Sequence, residues 1–313
     1  MTKPRLIGAA LGLALAVGFS TGASAEEPYI PLISKGFQHQ FWQAVKKGAE
    51  KAGEEYHVKV SFEGPETEAM VDKQIDMLSA ALAKKPAAIG FAALDSKAAI
   101  PLLKKAQAQK IPVIAFDSGV DSDIPLATTA TDNKKAASLA ADKMAALIGD
   151  AGEVALVVHD QTSRTGIDRR DGFVDQMKAK HPKVKIVDIQ YGGGDQLKST
   201  DITKALLTAH PNLKGIFGAN EGSVIGVIHG VKEMKRKVVI IGYDSGKEQK
   251  EAIRSGIEAG AITQNPGGIG YETVKAAVMA LKGQKLPKVI DTGFYWYDKS
   301  NIDDPKIASQ LYD

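Results

Sequence analysis

The chain has no cysteine. That excludes disulfides, thiolate metal sites, catalytic thiols and lipid attachment through an N-terminal cysteine. Aromatic residues are scarce at 6%, and only two are tryptophan, Trp42 and Trp296. An excess of one charge sign is also missing: 40 basic residues stand against 37 acidic ones. No basic face for nucleic acid is implied. The six histidines lack ligand spacing, so no metal and no cofactor is expected. The one long apolar run, residues 6–19, is too short for a membrane span, which needs about 20 residues.

That run has another use. Lys3 and Arg5 precede it and Ala23-Ser24-Ala25 follows it, the three parts of a secretory signal peptide over residues 1–25. The expected product is soluble and exported, most simply to the periplasm, with cleavage after Ala25. Setting Lys3 and Arg5 aside leaves a nearly neutral chain. At 313 residues it is too long for one ordinary core, and two domains are expected.

From Tyr29 onward, short apolar runs alternate with amphipathic segments. Strands are predicted at 29–33, 58–62, 87–92 and 111–116, with helices at 38–56, 66–84 and 96–109 between them. After 127–131 a second series begins, with strands at 154–158, 185–189, 215–218, 238–242 and 259–263. Its helices are predicted at 133–148, 165–180, 196–209, 222–234, 247–255 and 268–281. Continuously apolar strands flanked by helices imply parallel sheets covered on both faces. The fold class is therefore α/β, with two doubly wound lobes.

Polar residues collect where these strands end: Lys35, Gln38 and His39; Asp95; Asp117 and Ser118; His159 and Asp160; Asn220 and Glu221; Asp244; Gln264 and Asn265. Singly, each reads more simply as a helix cap or turn residue. Repetition in both series points instead to one cleft between facing lobes. Phe41 and Trp42, just beyond the first strand, are either core residues of the first helix or walls of that cleft.

Catalytic motifs are missing. The chain contains no Gly-x-Ser-x-Gly turn, no phosphate-binding Gly-rich loop before Lys-Ser/Thr and no His-Glu-x-x-His. Gly192-Gly193-Gly194 lacks phosphate-loop spacing and reads as a flexible turn. His159, Asp160 and Ser163 have the residue types of a triad but nothing in the sequence gives them its geometry. Asp117, Arg169, Asn220, Asp244 and Gln264 instead supply the donors and acceptors that vicinal hydroxyls need. Phe41 and Trp42 would face the C–H surfaces of a polyol. This describes a binding site without a nucleophile, not an enzyme.

Several stretches carry a resemblance: Phe41-Trp42-Gln43-Ala44-Val45-Lys46-Lys47-Gly48-Ala49, Ile111-Pro112-Val113-Ile114-Ala115-Phe116-Asp117, Arg169-Arg170-Asp171-Gly172-Phe173, Leu206-Leu207-Thr208-Ala209-His210-Pro211, Ile240-Ile241-Gly242-Tyr243-Asp244 and Thr263-Gln264-Asn265-Pro266. In this order the chain resembles periplasmic sugar-binding proteins of ABC transporters, in the ribose- and galactose-binding group. The resemblance implies the type I periplasmic binding protein fold, two lobes joined by a three-strand hinge. The first lobe would hold residues 26–131 and 265–291, the second 132–264 and 292–313.

It further implies that Phe41 and Trp42 are the aromatic pair and Asp117 the sugar-binding aspartate of the first lobe. Arg169, Asn220, Asp244 and Gln264 would contact hydroxyls from the second. His39 and Ser118 depart from the ribose pattern, where asparagine and arginine stand, and an aromatic lid is replaced near Gly194. A smaller, less cationic wall suggests another or larger sugar. The implied partners are a monosaccharide of pentose or hexose size and an ABC permease with a cytoplasmic ATPase, served by a monomer. The alternative is a sensor for a chemoreceptor or sensor kinase, with an inositol or an autoinducer-like furanose as ligand. A repressor would need an N-terminal DNA-binding motif where the export signal stands.

Overall fold

A computed structural model describes residues 1–2 and 27–313. The expected export signal, apart from Met1 and Thr2, lies outside the described residues. The described chain forms two six-stranded sheets.

In the first sheet, β1 (Tyr29–Ile33), β2 (Lys59–Glu63), β3 (Ile89–Phe91), β4 (Val113–Phe116), β5 (Ala127–Ala130) and β11 (Val289–Asp291) lie in the order β11-β5-β4-β3-β1-β2. The second contains β6 (Gly152–Val158), β7 (Val184–Tyr191), β8 (Leu213–Gly218), β9 (Val239–Tyr243), β10 (Gly260–Gln264) and β12 (Phe294–Tyr297), in the order β12-β10-β9-β8-β6-β7. All pairings are parallel except β12 with β10. Parallel neighbours need crossover connections, which the helices supply. They are α1 (Gln40–Tyr56), α2 (Val71–Ala83), α3 (Ile100–Ala108), α4 (Asn133–Ile148), α5 (Arg164–Lys180), α6 (Gln196–Ala209), α7 (Glu221–Glu233), α8 (Lys247–Ser255), α9 (Pro266–Leu281) and the short α10 (Pro305–Ala308).

Each sheet is buried on both faces, which explains the uninterrupted apolar strands. In the first lobe Ile30, Leu32, Ile114 and Phe116 pack under α1 and α9, while Ile33, Ile89, Phe91 and Val113 pack under α2 and α3. The second lobe repeats this with Val154, Leu156 and Phe217 on one side and Val157, Ile216 and Ile240 on the other. Helices α1 and α9 touch backbone to backbone. A Cβ on Gly48 would lie 2.0 Å from Gly267 O, so only glycine fits there.

The chain passes between sheets three times, after β5, after β10 and between β11 and β12. Two of the first sheet's strands depart from expectation. Residues 127–130, not among the predicted strands, form β5, because Ala127 to Ala130 lie between β4 and β11 and pair with both. Strand β11, three partly exposed residues, has no apolar run to announce it. Helices α2 and α3 start later than predicted, at Val71 and Ile100 rather than 66 and 96. Asp95 accounts for the second delay, since its carboxylate accepts from Lys97 N and Ala98 N in a turn. Among the described residues no helix is long and apolar enough to cross a membrane.

Candidate functional site

Both sheets place their strand order reversals, between β1 and β3 and between β6 and β8, beside the same cavity. Ligands of open α/β sheets bind at the carboxyl ends of strands near such reversals. The cavity is narrow: about 250 Å³ of space lies between its atoms, counting what opens to solvent, but only about 10 Å³ of it admits the centre of a water-sized sphere. It is lined by Lys35, His39, Phe41, Trp42, Glu68 and Asp117 of the first lobe and by His159, Arg169, Asn220, Asp244 and Gln264 of the second. Its wall thus draws on the segments after β1, β2, β4, β6, β8 and β9, on the last residue of β10, and on α1 and α5.

Asp117 follows β4 at a φ of 55°, a left-handed backbone that aspartate tolerates better than bulkier residues. Its Oδ1 is buried without a partner. Burial pushes the Asp117 carboxyl up to about 6, although Lys35 and Arg169 oppose the rise. Asp244 shares the left-handed geometry at φ 79° but is fully engaged: Oδ1 accepts from Gln264 Nε2 at 2.7 Å and Oδ2 from Glu221 N at 3.0 Å. Gln264 keeps its Oε1 free.

Arg169, 3% exposed, lies 3.7 Å over the Tyr243 ring. Its Nε donates to Asn133 Oδ1 at 2.8 Å and one terminal nitrogen to Ala219 O at 2.9 Å. These contacts fix the guanidinium while its other edge remains available. Burial opposes its charge, but Tyr243 and the carboxylates of Asp244 and Asp117 outweigh burial and hold the proton more firmly.

The opposite end of the cavity centres on Glu68. Its Oε1 accepts from Trp42 Nε1 at 2.8 Å, and its Oε2 accepts from Asn220 Nδ2 at 3.4 Å and lies 3.9 Å from Lys35 Nζ. Burial pushes the Glu68 carboxyl up, yet Lys35 above all, with His39, His159 and the Trp42 N–H, holds it below the usual range. Lys35 Nζ also donates across the cleft to Thr165 Oγ1 at 3.0 Å, where His159 Nε2 sits at 3.1 Å. Burial, with the charges of Lys35 and Arg169, pushes the His159 imidazole well below its ordinary value.

A family model for a periplasmic binding protein domain matches residues 30–285. The chain belongs to this family. Among curated proteins, this binding protein is 28% identical over 288 residues to the D-allose-binding periplasmic protein of Escherichia coli, covering 88% of this chain and 91% of that one. A carbohydrate transporter solute-binding protein from Agrobacterium radiobacter, solved with D-arabinose, is 36% identical with a TM-score of 0.88, covering 92% of this chain and 100% of that one. An ABC transporter solute-binding protein from Agrobacterium vitis, solved with D-fucose, is 34% identical at the same TM-score, covering 91% and 100%. Such homologues are sugar-binding components of ABC importers.

Eight of the nine residues singled out from the sequence line the cavity of this binding protein: His39, Phe41, Trp42, Asp117, Arg169, Asn220, Asp244 and Gln264. Ser118 does not; it is fully buried behind the lining, its carbonyl accepting from Ala93 N. The Phe41 and Trp42 rings meet nearly at right angles, 4.9 Å apart, and both also belong to the first lobe's core. Core residue and cavity wall are therefore the same side chains. Asn220 likewise does two things, capping α7 through Ser223 N while its amide nitrogen faces Glu68.

Sequence reasoning missed Glu68, because 66–70 read as the start of a helix. Lys35 and His159 were visible only as polar residues at strand ends. The space expected near Gly194 is filled: a Cβ there would lie 3.1 Å from Asn220 Nδ2 and Glu68 Oε2 and 3.3 Å from His39 Nε2. His159, Asp160 and Ser163 form no triad, since Ser163 Oγ donates to Asp160 Oδ2 at 2.7 Å and accepts from Gly166 N.

Proposed function

We propose that this periplasmic binding protein is the solute-binding component of an ABC-type sugar importer, enclosing one neutral monosaccharide of pentose or hexose size. The observation that carries the reading is the cavity itself: small, shared by both lobes, and lined by two aromatic rings with unpaired atoms on Asp117, Gln264, His39 and His159. Those atoms suit hydroxyls that both donate and accept. Three lining carboxylates against two cations disfavour an anionic ligand. No lining residue forms a nucleophile–base pair, so the site reads as one for capture, not catalysis.

In this reading Asp117 accepts from one hydroxyl, Arg169 and Asn220 donate, and Gln264 with Asp244 holds the far edge. Glu68, Lys35, His39 and His159 form a second polar end, and Phe41 and Trp42 make the corner between. Ligand held by both lobes favours the shut form. Even moving a hinge from 1:99 to 99:1 takes about 5.5 kcal/mol of differential affinity, an upper bound for a hinge already partly shut without ligand. Micromolar binding supplies about 8 kcal/mol.

In this proposal one lobe comprises 26–131 with 265–291 and the other 132–264 with 292–313, and residues 1–25 direct export. The shut form then docks on a membrane permease driven by a cytoplasmic ATPase. The relatives' names favour this over a sensor. A thermal-shift screen with D-arabinose, D-fucose, D-allose, D-ribose, D-galactose and myo-inositol tests it. A ligand at 100 times its Kd adds about 2.7 kcal/mol of stability. In a protein of this size that raises Tm by roughly 4–5 °C. A panel without a single shift would overturn the reading.

A further inference from the structure

Helix α1 carries cavity residues at its start, yet its own lobe leaves that start uncapped. Its N-cap residue, His39, makes no side-chain bond to the helix, and the first turn holds no acidic residue. The first N–H groups of a helix have no partner within it. Here they find one in the other lobe. Gln40 N donates to Glu221 Oε1 at 2.9 Å and Phe41 N donates to Glu221 Oε2 at 3.0 Å.

The reverse contact is made as well. Helix α8 in the second lobe begins after Gly246, which has no side chain to cap it. Lys247 N donates instead to Gln40 Oε1 of the first lobe, at 2.8 Å. Each lobe thus completes a helix of the other. Glu221 is held in place for this: it is 3% exposed, its own N–H donates to Asp244 Oδ2, and the Tyr312 hydroxyl donates to its Oε2 at 3.4 Å. Neither Glu221 nor Gln40 lines the cavity.

We propose that Glu221 and Gln40 are positioning residues that lock the lobes shut by reciprocal helix capping, and so set how long a bound sugar is retained. Both caps span the cleft and break when it opens. The carboxylate bonds are charge-assisted and lie at the positive end of a helix dipole, where they outcompete water. The ligand's role rests on the proposed function; the effect of the caps on closure does not.

The test uses Glu221→Gln and Gln40→Ala. Glutamine keeps the size of Glu221 but turns one acceptor into a donor facing an N–H group. Because the chain has no cysteine, Lys73→Cys and Lys198→Cys, exposed residues on α2 and α6, accept the only two spin labels. Without sugar, double electron–electron resonance should show longer inter-lobe distances in either variant than in the parent. With the sugar of the panel that gives the largest thermal shift, the dissociation rate should rise about tenfold in Glu221→Gln, with association changed by less than about threefold. Unchanged distances and an unchanged dissociation rate in folded variants would overturn the proposal. Should Glu221→Gln fail to fold, Gln40→Ala, altering a half-exposed side chain, decides alone. If no sugar binds the parent, the proposed function falls while the label distances still judge the caps.

Discussion

Lowering the pH from about 7.5 to about 5 should weaken sugar binding through a single carboxyl, that of Asp117. The group is 4% exposed, with Oδ1 unpartnered, and burial pushes it up to about 6. A sugar hydroxyl donating to Oδ1 requires the ionised form. One pH unit below 6, only about a tenth of the protein is ionised there, so affinity falls about tenfold, or about 1.4 kcal/mol. Binding near pH 6 should release about half a proton, because hydroxyl donors hold the carboxylate in its charged state. Titration calorimetry in two buffers of different ionisation enthalpy measures this directly, with Asp117→Asn as the control that abolishes both effects. Stability without sugar runs the other way. The folded pKa lies above the unfolded value of about 3.9, so the group's contribution is fully present below that value and is lost as pH rises through about 6, at most about 3 kcal/mol. Asp117→Asn should therefore gain on the parent as pH rises. Affinity that stays flat from about pH 5 to 7.5, with no proton exchanged near pH 6, would refute the reasoning.

Three further substitutions have defined outcomes. Trp42→Phe removes the N–H that Glu68 accepts; thermal melts should show a loss of about 2 kcal/mol, and the sugar-induced change in tryptophan fluorescence should disappear, leaving only Trp296. Glu68→Gln leaves the buried Lys35 ammonium without its carboxylate at 3.9 Å, and denaturant unfolding at neutral pH should register a loss of about 3 kcal/mol. Gly222→Ala places a methyl 1.9 Å from Gly194 O and 2.7 Å from His39 Cε1 across the cleft. It should cost about 1–3 kcal/mol in stability and weaken sugar binding in calorimetry.

The fold was legible where chemistry is local. Uninterrupted apolar strands such as 154–158 and caps such as Asn220 are written in adjacent residues. Most of the site was legible for the same reason, since a strand end is a sequence feature and each of Asp117, Asn220, Asp244 and Gln264 stands at one. What escaped depends on contacts across the chain. Glu68 sits in a loop rich in helix formers, and what holds the nearby loops is Gln74, whose amide bonds Ser34 O, Ala92 O and Leu94 N. Strand β5 is marked only by its pairing partners. The capping of α1 by Glu221 joins residues 180 or more positions apart, and no local pattern encodes it.

The central claim is that a monosaccharide is held between the lobes by Asp117 and Arg169 together. Calorimetry on residues 26–313 with the sugar selected by the screen tests it most directly, on the parent, on Asp117→Ala and on Arg169→Ala. One sugar per chain should bind the parent, and either variant, one on each lobe, should lose at least about a hundredfold in affinity. A sugar that binds both variants as tightly as the parent would contradict the account.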